Sequence, residues 1–261
     1  MLNREEEYDK MMLAEGKLWW YRILHEQVLE TIQSCFSSKE ISILDAGCGT
    51  GGLLDYLRTK GYTNIQGFDL SPFAVKACKE RNLSNVAILD VHEISSAYLP
   101  ERFDVIVCND MLYFVEDEHW AETLKNLYSV IKPGGLLILN LPAFNIFQGT
   151  HDVSVGIRSR WTYRRFIQQV VASKLTLQSI NYHYWPLLLS PLIVSVRVFQ
   201  QTKIKLGLAK NIQSDVLLPN DFLNNLFYKL TKFELNLPIR KLFGSSLFVH
   251  LRKQERNSNN F

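Results

Sequence analysis

Residues Ile41 to Gly52 read I-S-I-L-D-A-G-C-G-T-G-G, and this stretch decides the fold. A short aliphatic run ends at Asp45, and Gly47, Gly49, Gly51 and Gly52 follow at once. A strand that stops, turns tightly and starts a helix beneath a nucleotide-like ligand needs this order. A residue without Cβ lets the backbone approach a ligand or take positive φ. Cys48 sits inside the turn, where a small residue fits. Gly47, Gly49 and Gly52 also satisfy G-x-G-x-x-G, so the stretch alone specifies a nucleotide-type cofactor without saying which.

Working outward, strands and helices alternate. N64-I-Q-G-F-D-L-S-P gives a second strand stopping near Asp69, with Pro72 in the first turn of a helix. Val86–Leu89 and Phe103–Cys108 are the third and fourth strands. The helix Trp120–Ile131 is stopped by K132-P-G-G, and Leu136–Leu141 is the fifth strand. Residues 175–184 and 245–251 are predicted to pair as an antiparallel edge. The expected fold is α/β: a Rossmann-like, seven-stranded, mostly parallel sheet with an antiparallel C-terminal edge and a helical insertion. Residues 1–40 read as a helical lid, 41–184 and 243–253 as the core, and 185–242 as a largely helical cap.

Composition narrows the class. The chain has 261 residues and a net charge of only +3, without the broad basic excess of a nucleic-acid binder. Cys35, Cys48, Cys78 and Cys108 form no CxxC pair, and no cluster has metal-ligand spacing, so no metal is expected. The polar, acidic N-terminus argues against a secretory signal, and no uncharged apolar run reaches 18 residues. A cytoplasmic monomer or homodimer acting on a small molecule is expected.

Three carboxylates separate the cofactor classes. Asp45, Asp69 and Asp90 end three successive strands. A pyrophosphate is repelled by a carboxylate beside the glycines, whereas a ligand carrying an ammonium is attracted. Asp90 is placed to accept a hydrogen bond from an adenine amino group.

On these residues the chain resembles the class I S-adenosylmethionine-dependent methyltransferases. D45-A-G-C-G-T-G is similar to their first motif and G67-F-D-L-S to their ribose-binding acidic motif. F103-D-V-I-V-C-N-D is similar to the fourth-strand motif, and L127-Y-S-V-I-K-P-G-G-L-L-I to the helix and fifth strand. The resemblance implies that Asp45, Gly47, Cys48, Gly49 and Gly51 hold the methionine moiety of S-adenosylmethionine. Asp69 would bind the ribose hydroxyls, with Leu70 and Ser71 beside the adenine, and Asp90 with Val91 would read the adenine edge. Asn109 would line the methionine and substrate side.

A subgroup of these enzymes (type 11/12-like, acting on small molecules) carries P-A, a His-Asp pair and G-H-x-R-R-Y-T after the fifth strand. Pro142, Ala143, His151, Asp152, Gly156, Arg158, Arg160 and Thr162 keep that shape. Ile157, Ser159 and Trp161 depart from it. L18-W-W-Y-R is similar to a segment that closes over the cofactor, which points to Trp20 and, for the methionine carboxylate, Arg22. Relatives often carry Glu-His where this chain has Tyr113 and Phe114, so no base is expected at those two places. His151 is the candidate base, and Arg158 and Arg160 are candidate clamps for an acidic substrate group. Tyr113, Phe114 and Trp161 would shape the substrate pocket.

The implied activity is methyl transfer to a small, hydrophobic or amphipathic metabolite, of the sort met in natural-product pathways. An NAD-dependent oxidoreductase and a non-enzymatic nucleotide-binding partner protein are the alternatives. In the cap, L217-L-P-N-D-F-L-N-N-L-F-Y-K-L reads as an amphipathic helix with Leu223, Leu226, Phe227 and Leu230 on its apolar face and Asn220 as its cap. Peripheral membrane contact stays open, with Lys203, Lys205, Lys210, Lys229, Lys232, Arg240 and Lys241 available to anionic lipid.

Overall fold

The computed structural model describes residues 5–206 and 219–256, apart from the side chains of Glu7, His151, Ser154, Ile204 and Lys205. Its sheet follows from the apolar runs. In β1 (Ile43–Ala46), Leu44 and Ala46 join one core while Ile43 joins the other. β2 (Ile65–Asp69) and the largely exposed edge strand β3 (Val86–Ile88) follow, and in β4 (Phe103–Asn109) the rule holds again: Ile106 and Cys108 face one side, Val105 and Val107 the other, and all four are closed to solvent. A strand covered on both faces needs apolar residues at every position, so it shows no alternation. β5 (Ile131–Pro142), β6 (Leu177–Trp185) and β7 (Ser246–Lys253) complete a sheet of order β3-β2-β1-β4-β5-β7-β6. The first five strands pair in parallel, and β7 lies antiparallel between β5 and β6.

The helices, in chain order, begin with α1 (Glu5–Glu15), α2 (Trp19–Cys35), α3 (Gly52–Thr59), α4 (Pro72–Glu80) and α5 (Ile94–Ala97). There follow α6 (Trp120–Ser129), α7 (Thr150–Val155), α8 (Tyr163–Ala172), α9 (Ser190–Lys205) and α10 (Asp221–Asn236). Leu124 and Leu127 of α6 and Phe166 of α8 cover one face of the sheet. Ile23 and Val28 of α2 and Leu54 and Leu57 of α3 cover the other. The strand order reverses between β1 and β4, so their C-terminal ends open a crevice.

Two expectations need correction. β5 starts at Ile131, not Leu136: the K-P-G-G turn is a bulge within it, as the partners shift from Phe103↔Ile131 to Val105↔Leu136. Gly134 has φ +77°, and a Cβ on Gly135 would come within 2.7 Å of the Asp104 carbonyl oxygen.

The second correction concerns α10. Asn220 does cap it, accepting from Leu223 N–H at 2.9 Å, but only half of the expected apolar face packs: Phe227 is half-buried edge-on to the Trp19 ring and Leu230 is half-buried, while Leu223 and Leu226 are exposed. Asn224, Thr231 and Glu234 are buried, whereas Phe222, Leu223, Leu226 and Phe233 are exposed. Asn224 accepts from Trp19 N–H and donates to Lys17 O, both at 2.8 Å, which joins α10 to α2. The Glu234 carboxylate accepts from Leu187 and Leu188 N–H, each at 2.7 Å. Backbone groups at the start of α2 and in the cap turn before α9 that lack helix or strand partners are satisfied by these side chains, because a buried orphan would cost about 1–3 kcal/mol. Of the basic residues expected at lipid, Lys232 instead pairs with Glu26 and Glu30, and Lys241 donates to Leu235 and Leu237 carbonyls. Lys210 and the side chain of Lys205 lie outside the described residues.

Candidate functional site

The crevice at the ends of β1 and β4 is a cavity of about 580 Å³, roofed by α1, α2 and the start of α9. Its floor is the glycine turn. Gly47 and Cys48 N–H both donate to Phe68 O, at 2.8 and 2.9 Å, which binds the turn to β2. Gly47 has φ +74°, and a Cβ there would fall 2.5 Å from Met111 Cγ, so neither backbone nor neighbour tolerates a side chain. Gly51 lies behind the wall as the left-handed start of α3. Gly52 has a reason the sequence concealed: a Cβ there would lie 2.5 Å from a Glu15 carboxylate oxygen.

Glu15 is the main group that sequence reasoning missed. It ends α1, is buried, accepts from the Thr50 hydroxyl, and pairs with Arg81 at 3.1 Å. Burial pushes its carboxyl up to about 7 against those two partners. In L13-A-E-G-K it is a lone acidic residue before a glycine and carried no mark distinguishing it from a solvated helix end. Tyr8, on the same helix, also walls the cavity and is pushed up to about 12 by burial and then by the charge of Asp69.

Asp45 is 3% exposed and has no ion-pair partner among the described residues. Burial, then the charges of Glu15 and Asp69, raise it to about 8. Asp69 accepts Gly49 N–H at 3.0 Å and Ser71 N–H at 2.9 Å, so it orders the glycine turn as well as facing the cavity. Ser71 acts through its backbone and is not on the wall. Asp90 caps the short turn Val91–Glu93, accepting from His92 N–H at 2.9 Å, and lines the cavity with Leu70 and Val91. Asn109 closes this side; its Oδ1 is buried without a hydrogen-bond partner among the described residues.

Trp20, Tyr113 and Phe114 are on the wall as expected, together with Tyr21 and Phe147. Three expected residues are elsewhere. Arg22 points to the cap: its guanidinium lies 3.9 Å from the Tyr228 ring and donates to Asn225 Oδ1 at 3.3 Å. The helical turn that aims Trp20, Tyr21 and Leu24 inward turns Arg22 away. Trp161 is core, fully buried and 4.0 Å from the Trp120 ring. Arg158 pairs with Glu116 at 2.5 Å in a separate shallow hollow.

Arg160 does reach the cavity but is engaged. Its Nε and Nη2 hold both oxygens of buried Asp152, at 2.7 and 3.0 Å, and Nη1 donates to the Ala143 and Ser245 carbonyls. It is therefore not available as a bidentate clamp, and Asp152 is not available to orient His151. His151 lies in α7, and its side chain is outside the described residues.

One further carboxylate borders the crevice. Asp110 follows β4 with φ +50°, lines the cavity, and accepts Asn140 Nδ2–H at 2.9 Å. Burial raises it to about 7, against that hydrogen bond and the charge of Arg160. The rim thus combines a glycine cradle, a group of buried carboxylates and an aromatic wall.

Residues 20–181 match the model of a methyltransferase domain. The chain belongs to the methyltransferase-domain family. Its fold is that of the class I S-adenosylmethionine-dependent enzymes. It is 32% identical over 129 residues to a ubiquinone biosynthesis O-methyltransferase of Ralstonia nicotianae, covering 45% of this chain and 53% of that protein. It is 29% identical over 127 residues to a malonyl-[acyl-carrier protein] O-methyltransferase of Priestia megaterium, covering 48% and 46%. The chain spans about half the length of these curated relatives. Among solved structures, a SAM-dependent methyltransferase from Archaeoglobus fulgidus superposes with TM-score 0.57 at 15% identity, covering 89% of this chain and 94% of that one. Phosphoethanolamine N-methyltransferase 2 of Haemonchus contortus, in complex with S-adenosyl-L-methionine, gives 0.54 at 16% identity, covering 88% and 53%. These structural likenesses concern the fold.

Proposed function

We propose that the protein transfers a methyl group from S-adenosylmethionine to a hydroxyl of a small amphipathic acceptor. One observation carries the cofactor: the carboxylates of Asp45, Glu15 and Asp69 converge on the glycine turn and raise one another's affinity for a positive charge, with Arg81 paired to Glu15. A cation in the crevice relieves their mutual repulsion, and a pyrophosphate would add to it. The other residues fit the same group. The glycine turn leaves room for backbone contact, and Asn109 Oδ1 is a buried acceptor lacking a donor among the described residues. Asp45 and Glu15 would hold the ammonium, Asp69 the ribose hydroxyls, and Asp90 with Val91 the adenine edge.

When bound, S-adenosylmethionine supplies a methyl group activated by a positively charged sulfur. The protein holds the reactants in line, excludes water beneath α2 and α9, and presents an aromatic wall to the acceptor. Transfer to oxygen is supported by the names of the two curated relatives, and an apolar acceptor by Trp20, Tyr21, Tyr113, Phe114 and Phe147. The engaged state of Arg160 argues against an acceptor recognised through a carboxylate.

Calorimetric titration with S-adenosylmethionine, S-adenosylhomocysteine and NAD tests the cofactor. Binding of the first two without the third is expected; binding of NAD alone would replace this reading with the oxidoreductase. A peripheral lipid contact is supported by exposed Phe222, Leu226 and Phe233 on α10 beside Lys229, while no described helix is long and apolar enough to cross a membrane. Co-sedimentation with phosphatidylglycerol vesicles, lost in Phe222→Ser/Phe233→Ser, is the outcome this surface predicts.

A further inference from the structure

We infer that Asp110 is the general base that takes the proton from a phenolic acceptor hydroxyl. The inference rests on the methyl-transfer reading above and adds the residue and the acceptor chemistry to it. It also relocates the base. Tyr113 and Phe114 on the wall supply no base, and Asp152, the chain neighbour that would orient His151, is bound to Arg160.

The placement of Asp110 is specific. β4 ends at Asn109, and the next residue takes a left-handed conformation that aspartate and asparagine adopt more readily than other side chains. Asn140 on β5 holds it twice: Asp110 N–H donates to Asn140 O at 2.9 Å, and Asn140 Nδ2–H donates to Asp110 Oδ2 at 2.9 Å. The amide cannot flip without loss, because its Oδ1 accepts from Trp185 Nε1 at 3.0 Å and Trp185 stacks on Trp20 at 5.3 Å. Asp110 is therefore fixed as an acceptor on one oxygen. Its Oδ1 has no hydrogen-bond partner among the described residues, and the residue borders the cavity.

The ionisable groups around it come from every neighbouring element. Tyr21 of α2 and Tyr113 of the turn after β4 face it and are themselves held protonated by burial. Cys108 lies behind it on β4, likewise pushed up by burial. Arg160 is the nearby cation, with its charge largely met by Asp152. A carboxylate held near neutrality can accept a proton in a crevice at physiological pH, where an ordinary one is too weak a base. Tyr21, Tyr113 and Phe114 give a flat ring a face to lie against, and Arg160, the guanidinium whose charge Asp110 feels, is held by Asp152.

The balance is complete without another reactant. The acceptor O–H bond breaks and its proton moves to Asp110 Oδ1. The oxygen lone pair forms the new C–O bond, and the C–S bonding pair returns to sulfur, which leaves as a neutral thioether. The proton passes to solvent with product release.

The test uses 4-hexylcatechol as acceptor with S-adenosylmethionine, following S-adenosylhomocysteine by mass spectrometry. Wild-type turnover is expected to rise with pH through a single ionisation near 7 and then level. Asp110→Asn should keep S-adenosylmethionine affinity and melting temperature, lose about 100-fold or more in turnover, and lose the pH arm. 4-Nitrocatechol, whose hydroxyl ionises near neutrality, needs no base and should be methylated by Asp110→Asn at close to the wild-type rate. Equal turnover and equal pH profiles for wild type and Asp110→Asn would overturn the inference, as would equal losses with both catechols. Loss of the pH arm in His151→Ala instead would move the base there. Tight S-adenosylmethionine binding with neither catechol methylated would overturn the inference and leave the cofactor reading intact; failure to bind S-adenosylmethionine would remove that reading first.

Discussion

In the sheet, Val105, Ile106, Val107 and Cys108 are closed to solvent one after another, and the polar residues Asn109 and Asp110 wait at the strand's end. In the cap, α10 does the reverse: Asn224, Thr231 and Glu234 are inside, and Phe222, Leu226 and Phe233 face outward. Both regions border one cavity. The sheet satisfies its backbone internally, so its side chains are free to be apolar in the core and charged at the rim. The cap has turns whose N–H groups find no strand, so its inward side chains are spent on hydrogen bonds. The difference separates chemistry from enclosure: carboxylates gather at the strand ends, and hydrogen bonds from buried side chains hold the cover.

The largest effect expected from breaking this division is at Asp45. Asp45→Asn should weaken S-adenosylmethionine binding by about 100-fold or more by calorimetry, because a partly desolvated charge pair is lost. The same variant should melt higher than wild type without cofactor at pH 8, by an amount on the order of 3 °C. A variant that lost stability along with affinity would show that Asp45 serves the fold.

The pH dependence follows from the same groups. Folding raises Asp45 to about 8 and Glu15 to about 7. Each therefore adds stability that is complete below the ordinary carboxylate range and is lost as the pH climbs through those values. Melting temperature of the cofactor-free protein should fall between pH 5 and 8. A bound cation favours the charged carboxylates, so binding at pH 7 releases protons. Affinity should rise with pH over that window, and the binding heat should differ between phosphate and Tris. Equal heats would mean that the acidic groups are already charged.

On the cap side the effects are smaller. Asn224→Ala removes the acceptor for Trp19 N–H and the donor to Lys17 O, and is expected to cost about 1–3 kcal/mol in denaturant unfolding. Leu226→Ser on the same helix should change stability by no more than about 0.5 kcal/mol. The opposite ranking would restore the apolar face as the packing face. Arg22→Ala is the smallest: it should leave S-adenosylmethionine affinity within about twofold, since Arg22 lies over Tyr228 and not on the wall.

Much of the site was legible because the constraints were local. Asp45, Asp69 and Asp90 stand at strand ends that the apolar runs announce, and the glycines stand where the turn must be tight. Glu15 was not legible, because its burial depends on α1 folding back over residues far along the chain. Arg160 and Arg22 were misread for a related reason: a cation that is engaged looks the same in a sequence as one that is free. Asp110 was visible as a residue but not as a held one, since its partner Asn140 lies on another strand.

The chain itself determined the alternating strands and helices, the glycine turn and the acidic rim, because period, backbone freedom and charge act between near neighbours. Which face of α10 packs, which arginines are spent, and which carboxylates stay near neutrality were settled only by folding. Burial and pairing between distant segments are properties of the assembled cavity, and no short stretch of residues contains them.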